Sequence, residues 1–172
     1  AVDFDGSADY LNKTTDLSGT VDSKEGIVSF WCRIDGGDGT TRQALYANKV
    51  ASGTRLQVLL GTDNKFRIQG TNAAGVSVLD VKTVQTFLAS PTWVHVLIAF
   101  NMSATAVTHF YINSVSDKSV TTATDDGIVD FTDAANDWAV GATDTAASKF
   151  NGAISELYFA PNQYLDLSVQ AN

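Results

Sequence analysis

The stretch from Pro91 to Val115 constrains the fold more than any other. Two runs rich in β-branched and aromatic residues flank a polar turn at Asn101–Ala104, the pattern of a β-hairpin within a sheet. Val94, Val96, Ile98 and Phe100 share one parity, as do Phe110 and Ile112 on the returning arm. Trp93, His95, His109 and Tyr111 take the other. Alternate side chains of a strand leave opposite faces, so one set can fill a core while the other stays available.

The remaining chain repeats this grammar in short units. Val2 and Phe4 alternate with Asp3 and Asp5 before a turn at Asp5-Gly6, and a second short strand is expected around Tyr10. Further strands are expected over Ile27–Ile34, Gln43–Val50, Thr54–Leu60, Lys65–Gln69, Val76–Val81, Trp138–Val140 and Ala153–Ala160. Val84–Leu88 has the spacing of a single helical turn, with Val84, Phe87 and Leu88 on one side. The segments 114–128 and 142–149 read as polar or small-residue connections. Of nineteen acidic residues only Glu25 and Glu156 are Glu, and Asp prefers turns where Glu prefers helices. The pattern predicts an all-β, two-sheet antiparallel sandwich or jelly roll over residues 1–160, with 161–172 as a C-terminal extension or connector.

The formal charge of −8 argues against a nucleic-acid backbone as partner. No apolar run approaches the roughly 20 residues of a membrane-spanning helix. Cys32 is the sole cysteine and shares parity with Val28, Phe30 and Ile34, as a buried apolar residue would. The chain begins abruptly inside a strand, as a processed chain or fragment would.

Several short signatures occur in a characteristic order. They are Phe4-Asp5-Gly6-Ser7-Ala8-Asp9-Tyr10-Leu11, Ser29-Phe30-Trp31-Cys32-Arg33-Ile34, Thr92-Trp93-Val94-His95-Val96, Phe110-Tyr111-Ile112-Asn113, Trp138-Ala139-Val140-Gly141 and Phe150-Asn151-Gly152-Ala153-Ile154-Ser155-Glu156-Leu157. This set resembles the concanavalin A-like lectin/glucanase superfamily, in particular its laminin-G-like, pentraxin-type jelly rolls. The resemblance implies that the first and last strands lie side by side. It also implies an appended module of a secreted bacterial protein or a bacteriophage virion protein, placing the chain outside the cell or on a virion surface. Asn113-Ser114 departs from the Asn-Gly usual in such domains, and Ser accepts positive φ less readily than Gly.

Chemistry is sparse. Retaining glucanases of this superfamily carry Glu-x-Asp-x-x-Glu on one strand, because acid and nucleophile must stand about 5 Å apart. Glu25 and Glu156 each lack such a neighbour, so no enzymatic activity is expected. Outward parity carries Trp31, Arg33, Arg55, Gln57, Arg67, Gln69, His95, His109 and Tyr111, which include three of the four arginines. Aromatic faces with planar hydrogen-bonding groups suit sugars, so these nine residues are the expected glycan groove; solvent or a partner chain could equally meet them. His95 and His109 share that parity on one hairpin and could approach as a metal pair or pH-sensitive patch, although no third ligand is evident. Trp93 and Trp138 read as core or core-edge.

The acidic run through Asp125, Asp126, Asp130, Asp133 and Asp137 could place oxygens in an irregular loop, as Ca²⁺ requires, or could be ordinary turn acids. The resemblance, through calcium held at loop rims, supports Asp125, Asp126 and Asp130 as the Ca²⁺ set. Asp3 and Asp5 near Glu156 form a second candidate group. The sequence thus leads to a non-catalytic, lectin-like module for glycan or cell-surface polymer recognition. Its rival is a structural virion protein acting through contacts with other protein chains.

Overall fold

The computed structural model describes residues 1–15, 17, 19–49, 53–103, 105–132 and 136–169. Thirteen strands are present among them: β1 (Val2–Asp5), β2 (Leu11–Lys13), β3 (Glu25–Ile34), β4 (Arg42–Lys49), β5 (Gly53–Leu60), β6 (Phe66–Thr71), β7 (Ser77–Lys82), β8 (Ser90–Asn101), β9 (Val107–Ile112), β10 (Val115–Ser116), β11 (Ser119–Ala123), β12 (Asn136–Val140) and β13 (Asn151–Pro161). They form two antiparallel sheets, ordered β1-β13-β3-β8-β9-β10 and β11-β7-β6-β5-β4-β12-β2. Among the described residues no helix is long and apolar enough to cross a membrane.

Period-two patterning accounts for the sandwich. Val28, Phe30, Cys32 and Ile34 of β3 face inward beside Val96, Ile98 and Phe100 of β8 and Phe110 and Ile112 of β9. Leu56, Val58 and Leu60 of β5, with Phe66 and Ile68 of β6, supply the opposite wall. All belong to one core cluster. Phe30 meets Phe66 edge-on across the two layers, with centroids 6.2 Å apart. Cys32 is fully buried, and burial pushes its thiol up to about 12.

The hairpin from Pro91 onward is β8–β9, paired from Val96↔Ile112 to Asn101↔Val107. Ala104 of its expected turn lies outside the described residues. The terminal strands pair as expected, with Val2 opposite Ile154 and Phe4 opposite Gly152. At Gly152, φ is 145° and an added Cβ would stand 1.9 Å from the Arg33 carbonyl oxygen, so no side chain fits between β13 and β3 there.

Two local expectations are corrected. Val84–Leu88 is not a helical turn. The Val84 and Gln85 amides donate to Asp117 Oδ1, and Phe87 N–H donates to the Asn64 carbonyl. Amides committed to distant acceptors cannot close helical hydrogen bonds. Phe87 alone turns inward, onto Phe66 at 5.0 Å, while Val84 and Leu88 are exposed. The polar stretch after Ser114 also holds β10 and β11, paired with β9 and β7.

Asn113 and Ser114 both adopt positive φ, 50° and 67°, between the paired Ile112 and Val115. This is a two-residue turn of the I′ kind, formed despite Ser in a position that Gly occupies without strain. Ser114→Gly is therefore expected to stabilise the protein by about 0.5–1 kcal/mol, raising Tm by roughly 2 °C in scanning calorimetry.

Candidate functional site

The nine outward residues do not form one groove. Trp31 and Arg33 of β3, His95 of β8, and His109 and Tyr111 of β9 lie on the outer face of the six-stranded sheet. Arg55, Gln57, Arg67 and Gln69 lie on β5 and β6 of the other sheet. The outer faces of a sandwich point in opposite directions, so common parity did not mean a common surface.

On the six-stranded face, Trp31 stands directly opposite His95, their rings 4.9 Å apart and tilted by 32°. His95 Nε2 lies 3.0 Å from Ser29 Oγ. Trp93, expected at the core or its edge, is partly buried on this face, with the Arg33 guanidinium 5.7 Å from its ring centroid. The β3–β8 register shifts here, with Cys32 opposite Val94 but Ile34 opposite Ser90, so the extra residues that include Trp93 lie on β8. Arg33 makes a bidentate pair with Asp35, both contacts at 2.8 Å, and Asp35 raises its pKa further. Asp3 Oδ1 lies 3.5 Å from the same guanidinium. Beside Arg33, a shallow depression of about 470 Å³ is bounded by Asp35, Ala89, Ser90 and Pro91. Trp31, Trp93, His95 and Arg33 thus form an accessible aromatic and cationic platform.

His109 and Tyr111 are not part of it. The chain after β13 folds back over this end of the sheet. Tyr164 stacks on His109 at 5.8 Å, with its hydroxyl 2.9 Å from Nε2. Tyr111 Oη donates to the Leu167 carbonyl at 2.9 Å. The expected approach of the two histidines fails on register. His109 pairs opposite Ala99, four residues from His95, a separation of roughly 13 Å along the strand.

The opposite face carries a ladder of side-chain hydrogen bonds across four strands. Gln43 Nε2 donates to Gln57 Oε1 at 2.8 Å, and Gln57 Nε2 donates to Gln69 Oε1 at 2.7 Å. Gln69 Nε2 reaches Asp80, which also accepts from Arg67 Nε at 2.7 Å. Gln43 and Asp80 went unnoticed in the sequence, although Asp80 between Leu79 and Val81 has the required parity. Arg55 is wholly buried, with Nε 3.1 Å from Asp130 and Nη1 donating to the Asn72 carbonyl at 2.9 Å. It offers no surface to a ligand.

That pairing also divides the expected calcium residues. Asp130 is turned to Arg55, whereas Asp126 pairs with Lys24 at 2.7 Å and Asp125 accepts the Ala106 amide at 2.7 Å. Asp133 lies outside the described residues. Asp3 and Asp5 do not gather at Glu156 either: Asp3 leans toward Arg33, and Asp5 accepts Ser7 Oγ and the Ser7 and Ala8 amides. Those bonds, led by the Ser7 hydroxyl, hold the Asp5 carboxyl well below its usual range. Among the described residues no three His, Cys, Asp or Glu side chains are placed to hold a metal ion.

Residues 5–162 match the laminin G model described as the concanavalin A-like lectin/glucanases superfamily. The chain belongs to this superfamily. Its solved structural neighbours include the native heptameric SAP-like pentraxin from Limulus polyphemus. That match has 10% identity and a TM-score of 0.66, and covers 96% of this chain and 76% of the pentraxin. The CBM40 of the Ruminococcus gnavus IT-sialidase matches with 11% identity and a TM-score of 0.56, covering 92% of this chain and 95% of that one. The same CBM40 bound to α2,3-sialyllactose has a TM-score of 0.55. At these identities the structural likeness shows the fold alone. No match to the chain was found among curated protein sequences.

Removing Asp130 would strand a buried guanidinium. Asp130→Ala is expected to cost about 3–5 kcal/mol, read by urea denaturation, whereas Asp125→Ala at the surface should cost under about 1 kcal/mol. Burial pushes the His109 imidazole below its ordinary range, against the opposing pull of Asp166. A His with a lowered folded pKa contributes stability above its unfolded value of about 6.5, and that contribution fades as pH falls through this range. The Tm should therefore decline between pH 7.5 and 5, and His109→Gln should flatten that decline.

Proposed function

We propose that this chain is a non-catalytic, lectin-like module that binds carbohydrate through the Trp31–Trp93–His95–Arg33 platform. The observation that carries this reading is the placement of two of the three tryptophans together on one outer sheet face, Trp31 exposed and Trp93 partly so. An apolar ring face on a surface needs a partner to be worth its exposure, and pyranose rings offer stacked C–H groups with hydroxyls at the edge. Arg33, fixed by Asp35, supplies directed donors beside the stacking face. His95, held by Ser29, supplies another polar edge. The superfamily membership and the sialyllactose complex of the structurally similar CBM40 support a sugar as the ligand class.

The module would act outside the cell or on a virion, within a larger protein that uses it for recognition. Neither glutamate meets the requirement for glycoside hydrolysis: Glu25 accepts from Asn101 at 2.7 Å, and Glu156 is exposed at a bulge in β13.

A glycan array, probed with Ca²⁺ and again with EDTA, tests the reading. Binding to at least one glycan class is expected. Trp31→Ala should weaken it at least tenfold, while Gln57→Ala on the opposite face should leave it unchanged. No binding under either condition, or loss with Gln57→Ala alone, would overturn the assignment to this face.

A further inference from the structure

The aromatic side chains of the outer six-stranded face do not end with the two tryptophans. Tyr158 of β13 pairs opposite Ser29, whose side chain leaves β3 on the same face as Trp31 and His95. Directly opposed residues project on one side of a sheet, so Tyr158 stands on the platform's face, where it is 49% exposed. Its neighbour Phe159 turns inward onto Phe131 and the buried Trp138, as the alternation requires. Strand order then sets the arrangement. Tyr158 on β13, Trp31 on β3 and Trp93 on β8 form a diagonal across three neighbouring strands, with Tyr158 level with Ser29 and Trp93 beside Arg33. From the rise per residue and the strand spacing, that diagonal is roughly 16 Å long.

Each ring is held from the side. Trp31 packs against His95 with centroids 4.9 Å apart, the Arg33 guanidinium lies over Trp93, and the Tyr158 hydroxyl donates to Gln163 Oε1 at 3.1 Å. Rings fixed before binding lose little freedom when a ligand stacks on them. A six-membered ring of bonds near 1.5 Å is only about 3 Å across, so one sugar covers one of these rings and a chain of sugars is needed to cover all. Beyond Tyr158 the face is closed. His109 lies level with Ile27, the next outward position of β3 after Ser29, and Tyr164 is stacked on it. The returning chain from Gln163 onward is thus a wall across the end of the diagonal, and the length of ligand that can lie on it is finite.

The charges beside the diagonal are mostly negative. Asp3 and Asp35 flank Arg33, and Glu156 is exposed in the bulge just before Tyr158. Hydrogen bonds from Arg33 hold the Asp35 carboxyl below its ordinary range, so it stays ionised at neutral pH. Asp35 takes Nε and Nη2 of Arg33, which leaves the Nη1 edge outside that pair as a donor to a hydroxyl. A sugar with its own carboxylate would meet more like charge here than opposite charge, whereas a neutral sugar meets no such penalty.

We propose, on the carbohydrate reading of this face, that the diagonal binds a run of sugars in a linear, uncharged polysaccharide, with successive rings stacked on Trp93, Trp31 and Tyr158. Tyr158 is then a stacking subsite of its own, and the ligand class is a neutral chain rather than a single terminal residue or an acidic glycan.

Length-graded oligosaccharides test the proposal: linear gluco-, manno-, xylo- and galacto-series from monosaccharide to hexasaccharide, titrated into the full chain by calorimetry beside uronate- and sialate-bearing counterparts. In at least one neutral series, affinity is expected to rise about tenfold or more from disaccharide to tetrasaccharide and then to level off. Tyr158→Ala, at an exposed position, should weaken the tetrasaccharide about fivefold or more and the disaccharide less than about twofold, whereas Tyr158→Phe, which keeps the ring, should retain both affinities. The acidic counterparts should bind severalfold more weakly at low salt, with the gap closing as ionic strength rises. Equal affinity for disaccharide and hexasaccharide, a length dependence that Tyr158→Ala leaves intact, or a preference for the acidic members would overturn the proposal. So would the absence of saturable binding in every neutral series; glycan-array binding that Trp31→Ala removes would then show that the carbohydrate reading of the face had survived it.

Discussion

Everything on the surface of this protein is positioned by the closure of its two inner faces. Phe30 and Phe66 meet at the centre of that closure, and each lies between inward neighbours on its own sheet. Burial of one parity of each strand is non-directional and strong, of the order of 2 kcal/mol per large apolar side chain. It fixes the register, because a slip by one residue would exchange the core for the surface along a whole strand. Once Phe30 and Cys32 are committed inward, Trp31 and Arg33 have no choice but the outer face. The platform is a by-product of the core pattern, made specific by the residues that the outer positions carry.

The same logic explains how much could be read from the sequence. Parity within a strand was legible, and so were the hairpin and the buried Cys32, while the pairing of the terminal strands was implied by the family resemblance. Which strands share a sheet was less so. Arg55 and Trp31 have the same outward parity, and only the long-range pairing of β3 with β8 and β13 puts them on opposite sides of the molecule. Trp93 was placed at the core or its edge, but not beside Arg33, because the register shift on β8 that brings them together leaves no mark in the alternation. Asp130 looked like one more acid in a loop, and only the approach of Arg55 reveals it as the counter-ion of a buried guanidinium. The helical reading of Val84–Leu88 failed for a related reason: apolar spacing records where side chains could go, while Asp117 and Asn64 decide where the amides go.

The two outer faces use polar groups differently. On the seven-stranded sheet the amides and the Arg67–Asp80 pair satisfy one another laterally, which blunts the face as a site, since a ligand would have to displace bonds already made. On the six-stranded sheet Arg33 is anchored through one edge to Asp35 while the rings beside it remain open. Held donors next to a free apolar face suit recognition with little loss of entropy on binding.

The order of strands also sets the tempo of folding. In the seven-stranded sheet β4, β5, β6 and β7 follow one another as a meander, so each pairing closes a short loop. In the six-stranded sheet Trp31 must find both His95 and Ser155, and the second of these closes a loop of more than a hundred residues. Relative to a tight hairpin, that closure costs roughly 3 kcal/mol more in chain entropy. The meander can assemble from local contacts alone, whereas β3 gains its two neighbours only when distant parts of the chain are brought together. The sheet that carries the platform is on this account the later to form, and the surface that meets a ligand comes into being only as the whole molecule closes.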